Sequence, residues 1–104
     1  MSVVEVTTFR LAAAATAGAE DPAAVTAFLA ADRRIQTELV PNQPGFMRRT
    51  TARDGADWVV VTLWASRADA AAFDMAAAGH AVQIAFEGHL DRASVATRHY
   101  DTLD

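Results

Sequence analysis

The stretch Trp58-Val59-Val60-Val61-Thr62-Leu63-Trp64 decides the fold of this chain. Its β-branched and aromatic residues predict a strand. A strand with one face in water alternates apolar and polar residues, but here Thr62 is the only polar residue. We therefore expect a strand that is buried on both faces, in a sheet whose own helices cover only one of them.

The flanking segments place a hairpin before this strand and a helix after it. Asp54-Gly55 is a turn signal between two β-rich runs, so residues 46–53 are predicted to pair with residues 58–64. Ser66-Arg67-Ala68-Asp69 fits a capping box and predicts the start of a helix. Gly79 is expected to end that helix or to kink it, because apolar residues continue at helical spacing beyond it. These residues are Val82, Phe86 and Leu90.

The remaining segments complete a β-α-β-β-α-β order. Residues 3–11 are rich in β-branched and aromatic residues and predict the first strand. Residues 12–20 have no amphipathic period and predict a loop, after which Asp21-Pro22 is a helix start. Residues 93–100 alternate and predict the last strand. The order indicates one ferredoxin-like α+β domain over residues 1–104, with a four-stranded antiparallel sheet and both helices on one face.

The composition favours a homodimer in the cytoplasm. Apolar residues make up 52% of the 104 residues, above the usual range of about 45–50%, and so short a chain has only a modest core. A subunit interface would bury the surplus. The first residues lack the positive and apolar regions of a signal peptide, and no stretch approaches the roughly 20 apolar residues that span a membrane.

The charged residues point away from nucleic acid. A net charge of −4 and a pI near 5.2 exclude a protein that binds phosphates through a basic face. Arg48, Arg49 and Arg53 cluster, and we expect them on a solvated strand edge. Asp32 interrupts the apolar stripe of the first helix. The chain has no cysteine, no Gly-rich phosphate cradle and no metal-ligand spacing, so it predicts neither a flavin nor a metal cofactor.

Four short motifs resemble those of one protein group. They are Gln43-Pro44-Gly45-Phe46 at a strand entry, the turn Asp54-Gly55, Trp64, and Ala65-Ser66-Arg67-Ala68-Asp69-Ala70. Together they are similar to the antibiotic-biosynthesis-monooxygenase-like group of dimeric α/β barrels, and the resemblance extends over residues 3–103. It implies that two subunits pack their sheets face to face, which would bury the second face of the apolar strand.

The resemblance implies small-molecule chemistry. The group includes cofactor-independent monooxygenases of polyketide quinones, haem-degrading enzymes and members of unknown activity. For the monooxygenases it implies a tryptophan, here Trp64, an asparagine, where this chain has Val60, and a helical tyrosine near Ala70. For the haem-degrading enzymes the corresponding residues are Thr7, Phe73 and His80, of which only the histidine agrees. The chain departs from both patterns.

The second helix predicts a pocket against the sheet. Around Phe73 it is nearly all alanine, and small side chains leave space where larger ones would fill it. The expected pocket contacts are Trp64, Phe73 and Tyr100. His80 is the candidate catalytic base, because histidine titrates near neutral pH. Either Ala72→Leu or Ala76→Leu is expected to fill the space.

Each candidate also has a purely structural explanation. Trp58 and Trp64 share one strand face, where tryptophans usually pack in a core or an interface. His80 also suits a surface or capping position at a helix C-terminus. Tyr100 and His99 point to opposite faces of the last strand, and an edge tyrosine commonly completes a core.

Two functions stay open on the sequence alone. One is oxidation of a flat aromatic or polyketide-like compound without a bound cofactor. The other is a homodimer that binds a small ligand or a partner without catalysing a reaction. Haem ligation by His80 is the one cofactor role left open.

Overall fold

The computed structural model describes residues 1–12 and 21–103. The strands pair antiparallel in the order β2-β3-β1-β4. The elements are β1 (Val3–Phe9), α1 (Pro22–Arg34), β2 (Phe46–Asp54), β3 (Asp57–Trp64), α2 (Arg67–Ala77), α3 (Ala81–Glu87) and β4 (Ala96–Asp101). This arrangement confirms the predicted ferredoxin-like α+β fold. Apart from Ala12, the loop predicted over residues 12–20 lies outside the described residues.

The helix starts lie where their capping residues predict them. The Asp21 side chain accepts a hydrogen bond from the Ala23 amide at 3.1 Å, and Ser66 Oγ accepts from the Asp69 amide at 3.1 Å. Both bonds satisfy amides that have no partner inside the helix. After α1 the chain continues as a π-helical turn, Ile35–Leu39, and a 3₁₀ turn, Val40–Asn42. None of the described helices is long and apolar enough to cross a membrane.

Gly79 divides the predicted second helix into two. Its φ of +82° lies in the left-handed region that glycine tolerates, so α2 ends before it and α3 begins after it. His80 caps α3, because its Nδ1 accepts from the Val82 amide at 3.1 Å. Phe73 and His80 therefore lie on different helices and do not share a helix face.

Gly45 joins the start of β2 to the start of α2. Its φ is +78°, and a Cβ built at this position would overlap the Asp69 carboxylate. The Gly45 carbonyl accepts from the Ala65 amide at 2.8 Å. Glycine is thus required both by the backbone conformation and by the close approach of the helix cap.

β3 shows which face of the sheet the helices cover. Its residues alternate between buried and partly buried. The buried set is Trp58, Val60, Thr62 and Trp64. They lie on the helix-covered face, beneath an aromatic core in which the ring centroids of Phe28 and Trp58 are 4.9 Å apart.

The opposite side of the sheet, the open face, is aliphatic at its centre. The strand pairing puts Val4 beside Leu63 and Val6 beside Val61. Together with Val59, these residues are only partly buried within one chain. The expectation that β3 is buried on both faces therefore holds for one face of a single subunit.

Candidate functional site

A cavity of about 500 Å³ lies between the helix-covered face and the helices α2 and α3. The alanine-rich second helix predicted space at this place. Phe73, Asp74 and Ala77 of α2 form one wall. Ala72 and Ala76, the positions expected to face the space, are exposed and do not line it. The volume is in the range that holds a small organic ligand.

A row of four polar side chains crosses the floor of the cavity. The strand pairing places Arg49 of β2 beside Thr62 of β3, Thr62 beside Glu5 of β1, and Glu5 beside His99 of β4. Side chains of paired residues point to the same face of a sheet, and all four line the cavity. Since neighbouring strands lie about 4.8 Å apart, the row spans roughly 14 Å from Arg49 to His99.

Glu5 and His99 form a hydrogen-bonded pair in this row. Glu5 Oε2 and His99 Nε2 are 2.8 Å apart, and the two side chains are 12% and 31% exposed. With the proton on Nε2, the ring donates to the carboxylate and keeps a lone pair on Nδ1. A carboxylate in this position orients a histidine and stabilises the imidazolium that forms when it takes up a proton. The pair has the chemistry of a general base.

Asp74 of α2 adds a second carboxylate close to this pair. One ligand atom from each of Glu5, Asp74 and His99 lies within 4.8 Å of the others, a spacing at which the three could hold a metal ion. Burial of its carboxyl group raises the pKa of Asp74, the charge of Glu5 raises it further, and His99 lowers it. A proton or another positive charge is therefore favoured at this point of the cavity.

Arg49 is buried, which corrects the prediction of a solvated strand edge. Its side chain is 5% exposed, and its Nη2 donates to Oδ1 of Asp32 at 2.8 Å. Thr51 Oγ1 donates to the same oxygen at 3.0 Å. An irregularity in the pairing between Phe46 and Arg48 changes the register of β2, so that Arg48 faces outward and Arg49 faces the helices. This contact also explains the charged residue in the apolar stripe of α1.

Of the four site residues predicted from the sequence, Phe73 lines the cavity and three do not. Trp64 is fully buried against Phe46 and Phe73, at ring-centroid distances of 5.8 and 5.0 Å. Its indole N–H has no hydrogen-bond partner among the described residues. Tyr100 pairs with Val4, so it lies on the open face, where it is 46% exposed. His80 is exposed at the start of α3.

The sequence reasoning did not select Glu5, Asp74, Arg49 or His99 as site residues. Alternation already separates His99 from Tyr100, but it does not say which of the two faces inward. In β1, Glu5 shares a face with Val3 and Phe9, both of which are buried. A charged residue between buried apolar residues of one strand could have identified Glu5 as a site residue, because a buried carboxylate needs a partner.

The comparisons with known proteins give structural matches only. No protein-family model matches the chain, and no curated protein is similar to it in sequence. A solved structure from Bordetella bronchiseptica, described as a candidate antibiotic biosynthesis monooxygenase, matches with a TM-score of 0.76 and 11% identity. The match covers 98% of this chain and 97% of that one.

Two further solved structures have the same fold. A candidate antibiotic biosynthesis monooxygenase from Nitrosomonas europaea matches with a TM-score of 0.69 and 18% identity, over 98% of this chain and 90% of that one. SnoaB from Streptomyces nogalater, a cofactor-independent oxygenase, matches with a TM-score of 0.58 and 21% identity, over 98% and 96%. The resemblance to the antibiotic-biosynthesis-monooxygenase-like group is thus confirmed for the fold.

Proposed function

We propose that the protein is a cofactor-independent monooxygenase of a flat aromatic compound, with His99 as the general base. The observation that carries this proposal is the Glu5–His99 pair on the floor of a cavity of about 500 Å³. The similarity in fold to a cofactor-independent oxygenase supports it. His80, the base predicted from the sequence, lies outside the cavity and has no part in this mechanism.

In this chemistry the substrate supplies the electrons. His99 removes a proton from an acidic ring position or hydroxyl group, and the resulting anion is electron-rich enough to reduce O₂. One oxygen atom replaces the hydrogen of a ring carbon, and this carbon and the carbon of the hydroxyl group become the two carbonyls of a quinone. The other oxygen atom leaves as water with the ring hydrogen and the hydroxyl hydrogen, so no further reductant is needed. The imidazolium of His99, stabilised by Glu5, returns its proton to the departing oxygen.

The cavity wall suits a planar ring. Phe73 and Phe86 both line it, and aromatic side chains pack well against aromatic ligands. The polar row forms the opposite side. The substrate would lie between the two and be held with its acidic group towards His99, which is the positioning effect that enzymes use to accelerate such steps.

The second candidate is a protein that binds the ligand without oxidising it. Val60 favours this candidate, because an apolar side chain lines the cavity where the resemblance implies an asparagine. The same cavity would then hold the ligand, and the Glu5–His99 pair would only provide hydrogen bonds.

We further propose that two copies pair through their open faces. The aliphatic centre of the open face supports a homodimer, because a large apolar patch on a sheet is unfavourable in water. The patch consists of Val4, Val6, Val59, Val61 and Leu63. Face-to-face packing of the sheets would complete the burial that the apolar run of β3 predicts.

Oxygen consumption separates oxidation from binding. The purified protein is mixed with a panel of flat hydroxyaromatic compounds, and binding and O₂ uptake are measured together. We expect His99→Ala to lower the rate of O₂ uptake by about 10²–10⁴-fold, the usual contribution of a general base, with binding largely retained. His80→Ala is the matched control and should keep the wild-type rate. Compounds that bind without any O₂ uptake would support the binding protein instead.

A further inference from the structure

The wall of the cavity carries an excess of negative charge. Among the described residues that line it, Glu5, Asp74 and Glu87 are carboxylates, and Arg49 is the one guanidinium. Three negative groups against one positive group leave a net charge of −2 when His99 is neutral. An anionic ligand would enter against this charge.

The two cavity side chains that could offset this charge, Arg49 and His99, already contact carboxylates. Arg49 Nη2 lies 2.8 Å from Oδ1 of Asp32, and His99 Nε2 lies 2.8 Å from Oε2 of Glu5. Asp74 differs from these pairs, because no arginine lies against its carboxylate among the contacts of the described residues. It lies near Glu5, a group of the same charge. The cavity therefore has, at an exposed position of its α2 wall, a carboxylate with no arginine partner and with Phe73 as its neighbour in sequence.

We infer that the ligand of this cavity is a planar aromatic compound that carries a positively charged amino group. An ammonium group fits between Asp74 and Glu5, which would each accept hydrogen bonds from it. Phe73, which lines the same cavity, would pack against the ring of the ligand. Phe86 is not a cation contact for the ligand, because the Arg49 guanidinium already lies 5.7 Å from its ring centroid. The cavity is also far larger than the roughly 30 Å³ that one water molecule occupies, so a bare metal ion would leave it mostly unfilled.

This inference deepens the proposed function and rests on it for the identity of the site. The acidic ring position or hydroxyl group would face His99, and the ammonium group would neutralise Asp74. Bringing a cation close to the substrate ring also favours loss of a proton from that ring, because the anion formed lies next to a positive charge.

Three matched probes test the inference. They are (2-naphthyl)methylammonium, 2-naphthylmethanol and 2-naphthoate, which share the ring and differ in charge, and calorimetry gives the dissociation constant of each. We expect the ammonium compound to bind about tenfold more tightly than the alcohol, and the carboxylate to bind more weakly than both. Asp74→Asn should remove most of the preference for the ammonium compound and change the affinity for the alcohol much less.

Two further variants make the test specific. Glu87→Gln should lower the same preference if Asp74→Asn fails to fold, and Glu38→Gln, an exposed acid outside the cavity, should behave like the wild type. Equal affinities for the three probes, or tighter binding of the carboxylate, would overturn the inference. So would stoichiometric binding of zinc that is lost in Asp74→Asn and that prevents the ammonium probe from binding.

The outcome is distinguishable from that of the proposed function. Selective binding of the ammonium probe by a protein that never consumes O₂ upholds the charge preference and contradicts the oxygenation. Oxidation of neutral hydroxyaromatic compounds, together with no preference for cations, upholds the oxygenation and contradicts the charge preference.

Discussion

The two faces of the sheet differ in the side chains that lie at their centres. The helix-covered face has the polar row Arg49, Thr62, Glu5 and His99 at its centre, and its charged members are paired within 2.8 Å. On the open face, the two central strands β1 and β3 have only aliphatic side chains at the same level, and the charged residues Arg48 and Arg98 lie on the edge strands. The same four strands build both surfaces, because alternate residues point to opposite sides.

This difference explains why β3 has almost no polar residue. One half of its residues must fit under helices and the other half forms the open face, so both halves are apolar for different reasons. In the proposed function, the polar row of the helix-covered face contacts a ligand, and the open face contacts a second copy of the chain. Each of the following predictions alters one face and leaves the other intact.

We expect the largest effect on stability and subunit association from a substitution at the centre of the open face. Val61→Asp would place a carboxylate in the proposed subunit interface, where an unpaired charge costs several kcal/mol, a large part of a domain's stability of about 5–15 kcal/mol. We expect light scattering to show a dimer for the wild type and monomer or aggregate for the variant. Thr8→Asp, at an exposed position of the same face, is the milder control. A wild-type protein that stays monomeric at micromolar concentration would contradict the interface.

We expect the second-largest effect, a loss of folding stability, from a substitution on the helix-covered face. Arg49→Met leaves the Asp32 carboxylate, whose side chain is 13% exposed, without its cation, and breaking a buried ion pair costs about 3–5 kcal/mol. Arg10→Met removes a pair whose side chains are 59% and 69% exposed, for which about 0–1 kcal/mol is expected. Urea unfolding of both variants measures the difference. Equal losses would mean that Arg49 is not more buried than Arg10 in solution.

A smaller effect is expected where the cavity meets α2. Ala77 is 4% exposed and lines the cavity, so Ala77→Leu should fill it and weaken the binding of the naphthyl probes. The melting temperature should change little, because the added atoms enter empty space. If the site is already close-packed, the same change would destabilise by about 1–3 kcal/mol, and the cavity would be refuted. Ala72→Leu, at an exposed position, should affect neither measurement.

The smallest effect is a pH dependence at Asp74. Its pKa is raised by burial and by Glu5, so folding disfavours its charged form. The stability of the wild type relative to Asp74→Asn should therefore fall as the pH rises from the ordinary pKa of 3.8 through the raised value. Melting temperatures of the ligand-free proteins across this range measure the trend. A wild type that gains stability relative to the variant over the same range would contradict the raised pKa.

Local signals in the sequence were sufficient for the elements. The Ser66 cap, the Asp54-Gly55 turn and the proline after Asp21 each act within a few residues, so the sequence alone predicts where α1 and α2 begin and where the hairpin turns. The last strand begins at Ala96 and not at residue 93, because Arg92–Ser94 form a 3₁₀ turn. Gly79 left two outcomes open, since a left-handed residue can end a helix or kink it. The structure has the first outcome.

The site depended on contacts that no local signal contains. The side chains of Glu5 and His99 meet although 94 positions separate them. The side chain of Arg49 faces the helices because of an irregularity in the pairing of β2 with β3, and residue propensities do not predict such an irregularity. Alternation puts His99 and Tyr100 on opposite faces of β4 but does not show which of the two faces the helices. Packing of the helices decides that question, and packing is a property of the whole chain.

The position of β1 between β3 and β4 has a consequence for biosynthesis. β1 is made first and β4 last, yet they are neighbours in the sheet. A ribosome that adds about 5–20 residues per second needs roughly 5–20 s to pass from Glu5 to His99. During that interval the carboxylate of Glu5 has no imidazole of His99 beside it. The hydrogen bond between Glu5 and His99 therefore forms only after β4 has been translated, so a chain that stops before β4 lacks the residue proposed as the base and part of the cavity lining.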